Sequence, residues 1–387
     1  MITNFSLTVA KHILLEKLGK GLNAICSPFS INAILNSLAV GAEGATLKQL
    51  LGVLEYRSIN DITKIVSLQS MSSNGGGPTV YFTNGIWISK LFPLKPSYRD
   101  FIKTVENTKV EEVDFQNEAV EDRINLWAEK ATKGLIKNLF PSGTTPKDTI
   151  SIISNALYFK GDWKIPFDIS RTREEDFQLL SGQIARASFM NQWDKYYHFG
   201  SFEGYKVLKM CYKNSIGTNS LATATNSQQE RCFSMYVFLP DEKDGLPNLI
   251  ENIKFQNLFN EQMKFDTVRI FLLSIPKFKF SSECELSDIM KKLGLTLPFE
   301  HNNEFTGMIY GSNFEVTSMF QNSYIETNEE GIEAAAAFGD MVCSASPYNP
   351  PLVKFVADHP FMFIIREEFA GCILFMGTII NPPPAID

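Results

Sequence analysis

Four histidines, His12, His198, His301 and His359, are the only imidazoles the chain could use for proton transfer or metal binding, and none stands in an HExxH or other paired-ligand spacing. Metal chemistry has no ligand set here, and no metal or cofactor is expected. The GxSxG elbow is absent, which removes the strand-to-helix turn on which an α/β-hydrolase exposes its serine. Asn74 to Gly77 (NGGG) has the composition of an oxyanion loop, but no elbow lies near it, and a glycine run reads as a turn. Gly41 to Gly44 (GAEG) lacks the Lys-Ser/Thr pair of a phosphate loop. Cys26, Cys211, Cys232, Cys284, Cys343 and Cys372 show no CxxC spacing, so they read as free thiols rather than a disulfide frame or a zinc site. These residues do not argue for catalysis, and the chain is expected not to be an enzyme.

The elements that carry them belong to a globular protein. The chain has 387 residues, 44% hydrophobic and 20% charged, with 31 Phe spread along it, enough to bury a large core. Its 36 Lys plus Arg stand against 43 Asp plus Glu, a net charge of -7, with no dense basic run that could neutralise a phosphate backbone. Nucleic acid is therefore not an expected partner. Near the start, Leu7, Ala10, Leu14 and Leu18 fall on one helical face, with Asn4 as candidate cap and Gly19 as stop. Lys11, His12 and Glu16 interrupt the apolar run a signal peptide needs. The longest apolar runs elsewhere, such as Phe361 to Ile365 and Cys372 to Met376, fall far short of a membrane span. A cytoplasmic chain without membrane contact is the expectation.

Up to about residue 140 the pattern is mainly helical, with one early strand at Val80 to Ser89. From about 149 onward strands dominate: Ile150 to Phe159, Cys232 to Leu239, Val268 to Phe280, Tyr324 to Thr327, Phe361 to Ile365 and Cys372 to Ile380 are rich in β-branched and aromatic residues bounded by Gly or Pro. Helices first and strands later predict an α+β fold. No internal period and no Pro- or Ser-rich linker divides the chain, which reads as one domain. Asn214 to Gln229 and Phe338 to Pro351 read as long loops, and a loop of that length in a compact domain is usually functional.

Residues 326 to 338 read ETNEEGIEAAAAF, a charged stretch with a glycine that runs into four alanines ahead of the proline-containing loop. Propensity alone makes this a short surface helix. In its surroundings, however, the segment resembles the hinge of the reactive loop of serpins, and the resemblance extends across nearly the whole chain. Asn23 to Leu50 (NAICSPFS onward) is similar to the serpin second helix. Asn125 to Leu139 is similar to the helix lying across the main sheet, Asn155 to Phe167 (NALYFKGDWKIPF) to the strand and turn ending in Trp163, and Asp358 to Pro382 to the two buried C-terminal strands. Phe233 to Leu246, the four-alanine hinge and Phe355 to Phe361 (FVADHPF) look most like plant serpins.

The resemblance implies helices packed around a large, mainly antiparallel β-sheet with two smaller sheets and an exposed reactive loop at about 331–350. It implies a suicide-substrate inhibitor: a target protease attacks the loop and is held as a covalent acyl-enzyme while the freed segment inserts into the main sheet. The hinge would be Glu329, Glu330, Gly331, Ile332, Glu333, Ala334, Ala335, Ala336 and Ala337. Small side chains there suit entry between strands, and Gly331 can take backbone angles closed to other residues. Counting from Glu329 as the family does puts the cut bond between Ala345 and Ser346, with Cys343-Ser344 and Ser344-Ala345 as neighbouring candidates. A methyl group before the cut suits a small apolar primary pocket. Lys277 and Glu329 match a pair that closes the top of the sheet beside Trp163, and Ser27, Ser30, Asn155 and Gln321 match the region through which the sheet opens. Three residues depart from the family's pattern: Gln321 replaces a histidine, Phe338 is large, and Asp340 falls on the face an inserted strand would bury. The partner implied is a serine protease, with a cysteine protease as alternative, bound by a monomer. A non-inhibitory serpin acting as a binding protein is the other reading.

Overall fold

The computed structural model describes residues 2–64, 77–106, 108–117, 119–132, 134, 145–213, 232–255, 258–259, 263–329 and 352–383. Helix α1 (Asn4–Gly19) buries Leu7, Ala10 and Leu14 as their spacing predicts. Its cap is Thr3 rather than Asn4: Thr3 has extended backbone, and its hydroxyl accepts from Ser6 N at 3.2 Å. The short strand β1 (Ala24–Cys26) leads into α2 (Pro28–Gly41), where Ser27 is the N-cap and Pro28 fills the first turn. Apolar residues surround α2 on every side, so it lies buried along almost its whole length. Helix α3 (Gly44–Val53) follows.

Next come β2 (Thr79–Ser89), α4 (Pro96–Glu106), β3 (Thr108–Val113), α5 (Ala119–Ala131) and β4 (Ser151–Lys160). Alternation along β4 sends Ile152, Ala156 and Tyr158 to one face and Ile153, Leu157 and Phe159 to the other. On the first face α5 supplies Val120, Ile124 and Ala128 at helical spacing, and Trp127 meets Trp87 of β2 edge-on at 4.9 Å. The charged run Arg173 to Gln178 forms β5, and Ile184–Phe202 forms β6, a strand of 19 residues. Strands β7 (Tyr205–Cys211) and β8 (Phe233–Pro240), the short α6 (Leu246–Asn252), β9 (Asp266–Pro276) and β10 (Phe278–Glu285) follow. The expected single run from Val268 to Phe280 is thus two strands, broken at Lys277. After α7 (Ser287–Lys292) come β11 (Ser318–Thr327), β12 (Val353–Val356), β13 (Phe361–Glu367) and β14 (Cys372–Ile379).

The strands make two hydrogen-bonded sheets among the described residues. One has five strands in the order β10-β11-β4-β2-β3. It is mixed: β11 runs parallel to β4 and β2 parallel to β3, while β10–β11 and β2–β4 are antiparallel. The other has nine strands, in the order β1-β14-β13-β8-β7-β6-β9-β12 with β5 on β6. The two smaller sheets expected from the sequence run into each other through β6, which pairs with β5 and β9 along its first part and with β7 at its end. Between the paired Trp193 and Lys195, Asp194 takes a left-handed φ of 54° and forms an ion pair with Arg269 at 3.1 Å. The sheets sandwich two large apolar clusters, one around α1 and α2, the other rich in Phe between β4, β10, β13 and β14.

Candidate functional site

Strand β11 ends at Thr327, and the chain then reaches Glu329, where description stops until Leu352 opens the approach to β12. Most of the predicted hinge (Glu330, Gly331, Ile332, Glu333 and Ala334 to Ala337), the predicted cut bond Ala345–Ser346, and both Phe338 and Asp340 lie outside the described residues. The structure does hold both stems of that segment and the sheet beneath.

At the first stem Glu329 is almost fully buried, and both carboxylate oxygens are used. Lys277 Nζ lies 2.9 Å from Oε2, and Thr172 Oγ1 donates to Oε1 at 2.6 Å. Burial pushes the Glu329 carboxyl up, but the bonds from Thr172 and Lys277 outweigh it and hold the group below its ordinary value. The backbone is tied as well: Phe167 N donates to Glu329 O at 3.3 Å, and Trp163 Nε1 donates to Asn328 O at 2.9 Å. Trp163 is itself stacked on Tyr212, with ring centroids 4.5 Å apart and planes 13° from parallel. Lys277 is fixed where it sits in the break between β9 and β10, with its N–H bonded to Ser188 O at 2.8 Å. The pairing of Lys277 with Glu329 beside Trp163 was legible in the sequence by resemblance. Thr172 was not, because nothing in the stretch SRTREEDF marks one hydroxyl as aimed at a residue 157 positions away.

Halfway down the five-stranded sheet the registers align a polar row that crosses every strand: Cys284, Gln321, Asn155, Asn84 and Thr108 stand opposite one another in turn. All five are buried. Gln321 reaches past the sheet to the N-terminus of α2, where Ser27 N donates to its Oε1 and its Nε2 donates to Ser27 O, both at 2.8 Å. The amide thus mimics a backbone partner and engages both the N–H and the C=O of Ser27. Ser27 Oγ caps α2 by accepting from Ser30 N at 3.0 Å. Asn155 Nδ2 donates to Asn84 Oδ1 at 2.6 Å and to Thr83 O at 3.1 Å. The four residues expected to guard sheet opening therefore meet around one helix terminus and one polar row, which Asn84, missed at the sequence level, completes. Several buried polar atoms find no partner among the described residues: Ser30 Oγ, Asn155 Oδ1 and Asn84 Nδ2, with Ser154 Oγ and Ser323 Oγ nearby on β4 and β11. Leaving such atoms unmet in the interior costs about 1–3 kcal/mol each.

No group of three or more His, Cys, Asp or Glu that could hold a metal is found among the described residues, and Cys26, Cys211 and Cys284 are free thiols. No described helix is long and apolar enough to cross a membrane.

Comparison with known proteins matches residues 1–382 to a family described as Serpin (serine protease inhibitor). Serpin-Z1C of Triticum aestivum is 36% identical over 391 aligned positions, covering 98% of this chain and 95% of that protein. Serpin-ZX of Arabidopsis thaliana is also 36% identical, over 97% of this chain and 96% of its own length. Among solved structures, Arabidopsis AtSerpin1 in its native stressed conformation superposes with a TM-score of 0.86 at 34% identity, covering 98% of this chain and 96% of that one. Uncleaved ovalbumin superposes at 0.81 over 98% of this chain and all of its own (100%), but at 22% identity, which speaks for the fold alone.

Proposed function

Since this chain belongs to the serpin family of serine protease inhibitors, similar throughout to plant members, we propose that it is a suicide-substrate inhibitor of serine proteases with a small apolar primary pocket. The observation that carries this is the parallel pairing of β4 and β11 at the centre of the five-stranded sheet. A strand that doubles back from the end of β11 into the gap between them runs antiparallel to both neighbours. One parallel ladder is then replaced by two antiparallel ladders, which are the stronger kind. At roughly 1 kcal/mol net per new hydrogen bond, a strand of about fifteen residues gains on the order of ten.

The contacts at Glu329 and around Gln321 support the same reading, because they hold the sheet shut at two heights until the loop is cut. The unmet polar atoms along β4 and β11 raise the energy of the closed state and so favour opening. In the proposed sequence the protease attacks the carbonyl of Ala345, expels Ser346 as the new amino terminus and is left esterified to Ala345. Insertion begins at Gly331, continues through Ala334 to Ala337, and carries the protease away before water can release it. The complex is covalent and contains one inhibitor chain, acting as a monomer. The cytoplasm is the proposed compartment, and the free thiols of Cys26, Cys211 and Cys284 suit its reducing conditions.

The test is incubation of the purified chain with a panel of serine and cysteine proteases. A band stable in denaturing detergent with an elastase-type protease, and a cut mapped by mass spectrometry after Ala345, is the expected result. Cutting without such a band throughout the panel would leave a binding protein as the answer, and a band with papain-like enzymes alone would move the target to cysteine proteases.

A further inference from the structure

The geometry points to a second contact surface beneath the bait: a cationic and aromatic ledge made by Arg171, Arg173, Trp193 and Lys354, which we infer engages an acidic surface of the docking protease. The inference rests on the inhibitor reading above. Thr172, which binds Glu329 at the first stem, sits between Arg171 and Arg173, so the ledge begins where the bait departs. The two guanidinium groups lie 5.3 and 6.0 Å from the ring centre of Trp193 on β6. Trp193 stands opposite Leu272 of β9, which in turn stands opposite Lys354 of β12. Lys354 is also 6.0 Å from the ring of Phe271, and it directly follows the stem through which the bait returns. The exposed Leu352 stands at that return, 63% accessible.

Three exposed cations thus line one edge between the two stems. Arg171 is matched by Asp168 at 3.2 Å. Among the described residues no ion pair is formed by Arg173 or Lys354, and Glu175, on the same strand as Arg173, is engaged by Asn191 Nδ2 at 2.8 Å. Cations stacked on aromatic faces keep their charge while their geometry is held, which is the form suited to a waiting recognition surface. Ser346 lies six residues before Leu352, so even a fully extended chain separates the cut bond from the ledge by only about 20 Å. A protease domain with a radius of gyration of about 17 Å, seated on the bond, overhangs the ledge. Charge complementarity of this kind acts mainly on the rate of encounter.

The full-length chain is tested against two small-pocket serine proteases, one of acidic and one of basic net charge. The rate of bait-bond cleavage is followed from about 50 to about 400 mM salt. With the acidic protease the wild-type rate is expected to fall as salt rises. The double variant Arg173→Glu, Lys354→Glu should lower that rate about tenfold at low salt and flatten its salt dependence. The stoichiometry of inhibition should stay unchanged, and the basic protease should cut the bait no more slowly than before. The neutral pair Arg173→Gln, Lys354→Gln should give a smaller loss in the same direction, which guards against a folding defect. Because cleavage is scored whether or not the protease is trapped, a chain that is cut without trapping refutes the inhibitor and leaves the ledge measurable. An unchanged rate with the acidic protease overturns the ledge. So does an equal change with both proteases, which would mean that the cations hold the acidic bait segment, with its Glu330, Glu333 and Asp340, instead of the partner.

Discussion

Burial raises the pKa of Glu329, whereas Thr172 and Lys277 lower it by more, so its folded value lies below the ordinary one. A depressed carboxylate contributes stability that is present above its unfolded pKa of about 4.3 and is lost as pH falls through the folded value. Urea unfolding of wild type and Glu329→Gln should therefore differ by about 1–3 kcal/mol at neutral pH, and the gap should shrink as pH falls below about 4. A gap that persists into acid would place the contribution of Glu329 in something other than its charge. Gln321 makes the opposite case, since an amide that clasps Ser27 from both sides has no proton to gain. Replacing it with histidine should make sheet opening faster as pH drops from about 7.5 to about 5.5, because a buried imidazolium could not accept from Ser27 N. The incorporation rate of a synthetic peptide copying residues 331–345 reads this directly, and a wild-type rate that already varies over that range would contradict it. On the proposed cut after Ala345 its side chain sets specificity, so Ala345→Arg should redirect the chain toward trypsin-like proteases. An unchanged preference would put the cut at another bond.

Elements decide whether the bait can enter. Ala336→Arg should give a chain that is cut but fails to trap, because insertion would bury an unpaired guanidinium; undiminished trapping would refute entry of that residue. Asp340→Val should lower the molar ratio of inhibitor needed to silence one protease, since strict alternation from Ile332 carries that carboxylate to the buried face. Equal ratios would mean that it has found a partner or turned to solvent. The elements themselves were unequally legible in the sequence. The β-branched and aromatic cores of β2, β4, β8, β13 and β14 announced themselves, as did the apolar face of α1. Strand β5 did not, because REEDFQ holds a sheet edge through its pairing with β6 rather than through propensity. The polar row was also hidden: Gln321 and Asn155 could be picked out by resemblance, but a row across five strands depends on register, which is set by distant pairings.

At the scale of the whole molecule, cleavage and insertion should raise the melting temperature by about 10–20 °C, the shift that roughly ten kcal/mol produces in a chain of this size. Calorimetry before and after nicking the bait with a non-target protease measures it, and an unmoved transition would deny insertion. The parallel pairing of β4 with β11 carries a further consequence. On the proposed mechanism a ladder once split by an antiparallel intruder would return only against that gain, so each molecule would act a single time and have no turnover number. Protection by such a protein lasts while intact copies remain, and its duration follows the rate of synthesis instead of any binding constant. A cell relying on it would read proteolytic load from how quickly uncut copies disappear.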